Sequence, residues 1–173
     1  MQVMKTRSAL AVALLAAGAV AFAIQDANAV KAAIQKEMVG YVNAMKKRDA
    51  KLVEKFILAN FSQDFKDTDM RGQTRTRNQT IEAVHANIAM LKSVKSMTLN
   101  ITAIKVNGNK ATTTENMVLD ATINGIADPK KSSTLNVNST WTGTYVKTGT
   151  KWLCTSSKTV KEKVMIDGKA FPG

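Results

Sequence analysis

The chain has 173 residues, one cysteine and a formal net charge of +12 at neutral pH, from 25 Lys and Arg against 13 Asp and Glu. That length suits one domain with a substantial core, and a lone cysteine excludes an internal disulfide. Because the lysines are scattered and no aromatic residues interleave a basic patch, we expect solvated lysines and no nucleic-acid partner.

The first 29 residues have the layout of a secretory signal peptide. Lys5 and Arg7 precede an apolar run over 9–24, and Ala27-Asn28-Ala29 offers an A-x-A cleavage site. An uncleaved membrane anchor is the alternative, but the run is shorter than the ~20 apolar residues of a spanning helix. We therefore expect a periplasmic or secreted domain over 30–173, with no stable membrane anchor after cleavage.

Three helices are predicted next. Apolar residues at helical spacing indicate a first helix over about 30–47 and a second helix that Asp49 caps. A T-x-x-Q capping box at 76–79 precedes the third helix. The apolar stripe of this helix includes His85, the only histidine, and extends to Leu91.

A charged segment, FSQDFKDTDMRGQTRTR at 61–77, separates the second and third helices. Phe61 and Phe65 are expected to anchor it to the core, and D-M-R-G at 69–72 to form a turn in which Gly72 has a positive φ. On a strand, four alternate residues would share one face that could meet an anionic ligand, although a solvated edge strand is the alternative. These residues are Arg71, Gln73, Arg75 and Arg77.

From Met97 onward the apolar period changes to two, which predicts four antiparallel strands. We expect the first to run from Met97 to the N-G-N turn at 107–109. The others are expected over 111–123, 134–147 and 151–166, with Cys154 as a small buried residue of the last. Helices followed by consecutive strands imply an α+β fold with the helices on one face of the sheet, which leaves a concave cavity.

Two stretches resemble the nuclear-transport-factor-2-like superfamily, which includes the SnoaL-like domains and the ketosteroid isomerases. Residues 49–84 are similar to its second helix, D-x-x-G hairpin and R-x-R entry to the third helix. Residues 139–157, STWTGTYVKTGTKWLCTSS, resemble its last hairpin with a G-x-x-W turn. The resemblance implies a cone-shaped α+β barrel, with three N-terminal helices packed on a curved, mainly antiparallel sheet and a short hairpin between helices 2 and 3.

The resemblance also implies candidate catalytic residues. In the ketosteroid isomerases, a tyrosine on the first helix stabilises an oxyanion and a hairpin aspartate moves a proton. Tyr41 matches the tyrosine and Asp69, three residues before Gly72, matches the aspartate, with Asp67 as the alternative. The isomerases also place a neutral carboxylic acid on a later strand, and the corresponding segment here, NSTWTGTYV at 138–146, contains none.

Each candidate also has a purely structural interpretation. Tyr41 could be a helix residue with a buried ring, Asp69 a turn residue, and His85 either a general acid or base or a packed histidine. Trp141 and Trp152 are expected in the core or the cavity wall. The candidate ligand-binding set is Tyr41, Asp67, Asp69, His85, Trp141 and Trp152. With one histidine and no ligand cluster, we expect no metal site and no cofactor.

Three functions fit these features. The first is an exported SnoaL-like domain that binds a small, partly apolar ligand. The second is an enzyme of the isomerase or dehydratase type, with Asp69 or His85 as general base and Tyr41 as partner. The third is a dimeric envelope-interaction module without catalysis. We also expect a homodimer through the open sheet face, where Val146 and Val160 are apolar candidates.

Export predicts a mature N-terminus at Val30. N-terminal sequencing of the protein from the periplasm or medium should start there, because the A-x-A site ends at Ala29. Recovery of a membrane-bound protein that retains Met1 would contradict the prediction.

Overall fold

A computed structural model of the chain describes residues 26–125, 128 and 130–171, so most of the expected signal peptide lies outside the described residues. Its helices and strands, in chain order, are α1 Ala27–Lys47, α2 Ala50–Asn60, β1 Phe61–Thr68, β2 Thr74–Thr76, α3 Arg77–Met90, β3 Leu91–Asn107, β4 Lys110–Asn124, β5 Ser132–Thr148, β6 Lys151–Ile166 and β7 Lys169–Ala170. No helix within these ranges has the length and apolar character needed to cross a membrane.

The strands form one curved sheet in the order β2-β1-β6-β5-β4-β3, with β7 paired to β6. All pairs are antiparallel except β1 with β6, which is parallel. The three helices pack on this sheet, so the expected α+β architecture is confirmed. β1 does more than form a hairpin with β2, because it joins the main sheet and places the 61–77 segment beside β6.

The helix starts follow the capping residues in the sequence. The Asp49 carboxylate accepts a hydrogen bond from Leu52 N at 3.0 Å, and Thr76 and Gln79 form the expected capping box. At α1, Asp26 accepts from Asn28 N at 2.9 Å. The expected cleavage after Ala29 therefore lies in the first turn of α1 and would remove the Asp26 cap.

The start of β3 differs from the prediction. β3 begins at Leu91, six residues before the expected Met97, and Leu91 belongs to the strand rather than to α3. Register shifts with β4 occur between Leu91 and Ser93 and between Val94 and Ser96. Such β-bulges break the two-residue alternation, so this part of the strand has no strand-like pattern in the sequence.

Side-chain contacts to the strand backbone hold α1 against β3. The Gln35 amide donates to Leu99 O at 2.6 Å, and its oxygen accepts from Ile101 N at 2.9 Å, as a neighbouring strand would. Arg48, at the C-terminus of α1, donates to Leu91 O at 2.9 Å. Since β3 is the last strand of the sheet, these contacts satisfy part of its free edge.

Two clusters of buried side chains form the core. One joins the N-terminal half of α1 to the sheet and includes Phe65 and Cys154. The other joins the C-terminal half of α1, α2 and α3 to the sheet. Phe65 is buried and Phe61 packs against both clusters, so the expected anchoring of the hairpin and the burial of Cys154 are confirmed.

The hairpin turn has the expected geometry, but its arginines do not share a strand. Gly72 has φ +80°, and the Asp69 carboxylate accepts hydrogen bonds from the backbone N–H groups of Arg71 and Gln73, each at 2.9 Å. Because β2 contains only three residues, Arg71 lies in the turn and Arg77 begins α3. The expectation that these four residues share one strand face is therefore wrong, because the turn and the start of α3 interrupt the alternation of side chains.

Two glycines allow a matched test of this backbone. Gly72→Ala should lower the free energy of unfolding by about 1 kcal/mol, because a Cβ is strained at positive φ even though open space surrounds it. Gly40→Ala, within α1, should raise it by about 0.5–1 kcal/mol, because the new Cβ would lie 3.8 Å from Phe56 and helix propensity improves. Urea unfolding measures both, and equal signs for the two changes would contradict the described backbone.

Candidate functional site

A cavity of about 800 Å³ lies between the helices, the hairpin and the curved sheet. This volume is in the range of small-molecule sites. The lining side chains come from α1, α2, α3, the β1–β2 hairpin and β3 to β6, together with Phe171 after β7. Its wall therefore depends on contacts across nearly the whole fold.

One wall of the cavity is aromatic. Ring centroids are 5.5 Å apart between Tyr41 and Phe56, 6.2 Å between Phe56 and Phe61, and 4.4 Å between Phe61 and Phe65. These four rings line the cavity together with Trp141 and Tyr145 from β5. Aromatic side chains in such numbers give a large apolar contact surface with polar edges.

Glu115 of β4 is the buried charged group of this cavity. It is 2 % exposed and lines the cavity from the sheet. Its carboxylate accepts hydrogen bonds from Thr113 Oγ1 at 2.5 Å and Tyr145 OH at 2.8 Å on one oxygen, and from Trp141 Nε1 at 2.7 Å on the other. All three donors are neutral, and among the described residues no Lys, Arg or His forms an ion pair with it.

Burial dominates the acid–base properties of this group. Desolvation raises the pKa of the Glu115 carboxyl, and the hydrogen bonds from Thr113, Tyr145 and Trp141 offset only part of that shift. Burial also raises the pKa of the Tyr145 hydroxyl, with further contributions from Cys154 and Glu115. The pKa of the Cys154 thiol is also raised, mainly by burial, which favours the protonated thiol over the nucleophilic thiolate.

Gly143 makes room for the Glu115 carboxylate. A Cβ on Gly143 would lie 2.6 Å from Glu115 Oε1, 2.7 Å from Thr113 Oγ1 and 2.8 Å from the Tyr145 ring. In the sheet, Gly143 pairs with Thr113 and sits between Trp141 and Tyr145 on the same face. Glycine is thus required in this strand for close approach of the side chains around it.

β-Bulges in β6 shape the wall beside this group. The pairing of β5 with β6 shifts between Thr144 and Tyr145 and again between Thr140 and Trp141. Each shift adds one residue to β6, Thr155 in the first case and Val160 in the second. After each bulge the inward-facing positions of β6 switch between even and odd residue numbers, so Ser157 lies in the cavity wall. The bulges also bend the strand around the site.

Tyr41 and Asp67 lie together in the cavity. Burial, with a smaller contribution from the Asp67 carboxylate, raises the pKa of Tyr41 to about 12. The Asp67 carboxylate accepts a hydrogen bond from Ser157 Oγ, its partner in the parallel pairing of β1 with β6. Asp69 also borders the cavity, but its Oδ1 already accepts two backbone N–H groups of the turn. Asp67 is therefore the better placed of the two carboxylates to meet a ligand.

The other candidate residues are divided among three places. Trp141 lies in the cavity wall beside Glu115. Trp152 is buried in the core and borders a separate small pocket near the start of α1. His85 of α3 is outside the lining of the large cavity, and its Nε2 lies 3.3 Å from Glu54 Oε2 of α2. The structure thus brings Tyr41, Asp67 and Trp141 together, but not His85 or Trp152.

Sequence reasoning missed Glu115. It sought a buried acid at 138–146 on β5, whereas the acid is on the adjacent strand, directly across from Trp141. The available signal was alternation, because the other inward residues of β4 are apolar or threonine and Glu115 falls on the same side. Across the described residues, no three His, Cys, Asp or Glu side chains are grouped to hold a metal ion.

Comparison with known proteins identifies the fold. No family model matches the sequence, and no curated protein is detectably similar to it. Solved structures are similar in fold. A type 2 hexachlorocyclohexane dehydrochlorinase (LinA) has a TM-score of 0.61 and 11 % identity, with 84 % of this chain and 95 % of that chain covered.

Two further structures agree. A candidate scytalone dehydratase from Novosphingobium aromaticivorans has a TM-score of 0.60 and 15 % identity, with 79 % of this chain and 89 % of that chain covered. A nuclear-transport-factor-2-like superfamily protein from Salmonella enterica serovar Typhimurium has a TM-score of 0.55 and 20 % identity, with 86 % and 96 % covered. The chain thus has the nuclear-transport-factor-2-like fold that its sequence resembles.

The buried carboxyl predicts a pH-dependent effect of Glu115→Gln. Because the folded-state pKa is raised, Glu115 contributes stability that is fully present below the unfolded-state pKa and lost as pH rises through the folded-state value. The variant lacks this titration, so its free energy of unfolding relative to the wild type should increase as pH rises from about 4 to 8. Urea unfolding across that range measures the difference, and a difference independent of pH would contradict a raised pKa.

Proposed function

We propose that this protein is exported and binds a small, partly apolar molecule in the large cavity. The observation that carries the proposal is a cavity of about 800 Å³ in which aromatic rings and a buried, hydrogen-bonded carboxylate face the same space. Pockets with mostly apolar walls and a few fixed polar groups are typical ligand sites. The signal-peptide layout of the first 29 residues supports export.

The position of the polar groups supports specific recognition. Apolar rings supply contact area on the side of α1, α2 and β1, whereas Glu115 and its donors lie on β4 and β5. A buried carboxylate stabilises no core by itself, since removing it from water costs free energy. Three donors hold the Glu115 carboxylate in the cavity wall, where it can bind a polar group of a ligand.

Tryptophan fluorescence tests where binding occurs. The chain has two tryptophans, of which Trp141 lines the large cavity and Trp152 does not. A panel of small neutral, cationic and anionic aromatic compounds should include at least one that changes the emission. That change should persist in Trp152→Phe and disappear in Trp141→Phe. Failure of every compound to change the emission or the melting temperature would refute the proposed binding function.

Proton transfer is a second candidate function, favoured by the meeting of Tyr41 and Asp67. A carboxylate that shares a partly apolar cavity with a phenol can remove a proton from carbon while the phenol donates a hydrogen bond to the developing oxyanion. The Ser157 hydroxyl orients Asp67 for this role. The chain is similar in fold to a dehydrochlorinase and to a candidate dehydratase, which is consistent with such chemistry. Those two activities belong to the similar proteins, and the similarity to this chain is one of fold.

Two aspartates of the same hairpin give a matched test. Wild-type protein in D₂O should catalyse exchange of the protons next to the carbonyl in at least one member of a ketone panel, as followed by NMR. Asp67→Asn should slow this exchange about 100-fold or more, the usual loss of a general base. Asp69→Asn should leave it nearly unchanged, because the asparagine oxygen can still accept the turn hydrogen bonds. Equal losses in both variants would contradict the assignment.

Homodimerisation through the outer face of the sheet stays a prediction. Val118 and Val160 are exposed, which favours burial against a second copy. Three lysines of β6 also face outward, because they pair with residues of β5 whose side chains are on the face opposite Trp141 and Gly143. They are Lys158, Lys161 and Lys163. Two such faces would repel each other, so a dimer should strengthen with salt in light-scattering measurements, and a monomer at every salt concentration would refute it.

A further inference from the structure

We infer that the ligand of the large cavity is an organic cation, an amine or quaternary ammonium carried on an apolar body. The inference rests on the proposed binding function and specifies the chemical class of the molecule bound. Three features of the described residues carry it: the charge of the cavity lining, the absence of a cation beside Glu115, and the arrangement of the aromatic rings.

The lining of the cavity has the opposite charge balance to the chain. Lysine and arginine outnumber the acids by 25 to 13 in the sequence, yet acidic side chains outnumber basic ones in the lining. The lining acids are Asp67, Asp69, Glu115 and Glu162. The lining bases are Arg71 and Arg75. Within the described part of the chain, no lysine lines the cavity.

The most buried charged groups of the lining are acids. Glu115 is 2 % exposed and Asp67 is half-buried, whereas Glu162 and the two arginines of the hairpin rim are exposed. A charge at the exposed rim is screened by water and salt, while a charge in the buried wall acts through a medium of lower dielectric. The interior of the cavity is therefore electronegative, even in a chain with a net charge of +12.

Glu115 is the carboxylate that most needs a counter-charge. It receives hydrogen bonds from three neutral donors, and no basic side chain among the described residues pairs with it. An ionised carboxylate buried without a cation is costly, and a cationic ligand would supply the missing charge. The raised pKa of Glu115 agrees with this deficit of positive charge.

The rings around the cavity suit the same ligand. Tyr41, Phe61 and Phe65 line one side, and Trp141 and Tyr145 line the sheet side, where both also hydrogen-bond to Glu115. Aromatic faces attract organic cations, with Trp and Tyr among the best. An alkylammonium between these rings would therefore combine cation–π contacts, an ion pair with Glu115 and apolar burial of its body.

Three probes with one body separate the effect of charge from that of apolar contact. 4-Phenylbutylamine is a cation at neutral pH, 4-phenylbutan-1-ol is neutral and 4-phenylbutyrate is an anion. In calorimetric titrations of the full chain, the amine should bind at least about ten-fold more tightly than the alcohol. The carboxylate should bind weakest of the three.

Variants assign the preference to the buried carboxylate. Glu115→Gln should reduce the amine-to-alcohol preference to near unity while binding of the alcohol persists. Asp120→Asn is the control for net charge, because Asp120 lies on the outer face and contacts Lys95 and Asn136; it should keep the preference. If Glu115→Gln does not fold, Asp67→Asn replaces it, and the preference should fall at least several-fold.

Each result decides the inference. Equal or tighter binding of the alcohol or the carboxylate would overturn it and leave the proposed binding function intact. An amine preference that survives in Glu115→Gln, or in Asp67→Asn where that variant replaces it, would likewise overturn it. Absence of binding by all three probes would also refute the organic-cation inference, whereas the proposed function would fall only if the wider compound panel produced no fluorescence or melting change.

Discussion

A carboxylate buried without a counter-cation is the constraint on which the site depends. Glu115 can remain in the wall of β4 only if its oxygens are hydrogen-bonded, and Thr113, Trp141 and Tyr145 supply those bonds. Gly143 completes the arrangement, because any larger side chain would meet the carboxylate. Glu115 thus constrains the residue type at four positions on two neighbouring strands.

The rest of the fold creates the space in front of that acid. Gln35 fixes α1 to the edge of β3, while β1 joins β6 and brings the hairpin to the opposite side. The two β6 bulges curve the sheet between these supports. Helices and sheet pack together through two core clusters, and side chains of both clusters line the cavity.

Much of the fold could be predicted because its signals are local. Asp49 and the Thr76–Gln79 box mark helix starts, Gly72 marks a turn, and the change from helical to alternating periodicity marks the sheet. The start of β3 could not be predicted, since bulges interrupt its alternation. The parallel pairing of β1 with β6 is a contact between distant parts of the chain, about which local patterns say nothing.

The site was only partly predictable for the same reason. Tyr41, Asp67 and Trp141 could be proposed from a resemblance and from residue type, and they lie in one cavity. His85 was proposed because it lies on an apolar helix stripe, but α3 turns that position toward Glu54 of α2. Glu115 belongs to the site through cross-strand pairs with β5, and the register that makes those pairs is set by the whole sheet.

Glu115 is a buried acid with no neighbouring basic side chain among the described residues. NMR titration of ¹³C-labelled glutamate carboxyl groups measures its pKa directly, with Glu115→Gln used to assign the resonance. We expect the Glu115 carboxyl to titrate above the ordinary glutamate range in the free protein. Its pKa should fall when 4-phenylbutylamine is bound, since a nearby cation favours the ionised form. A Glu115 carboxyl that titrates in the ordinary range, or whose pKa rises on binding the amine, would contradict these expectations.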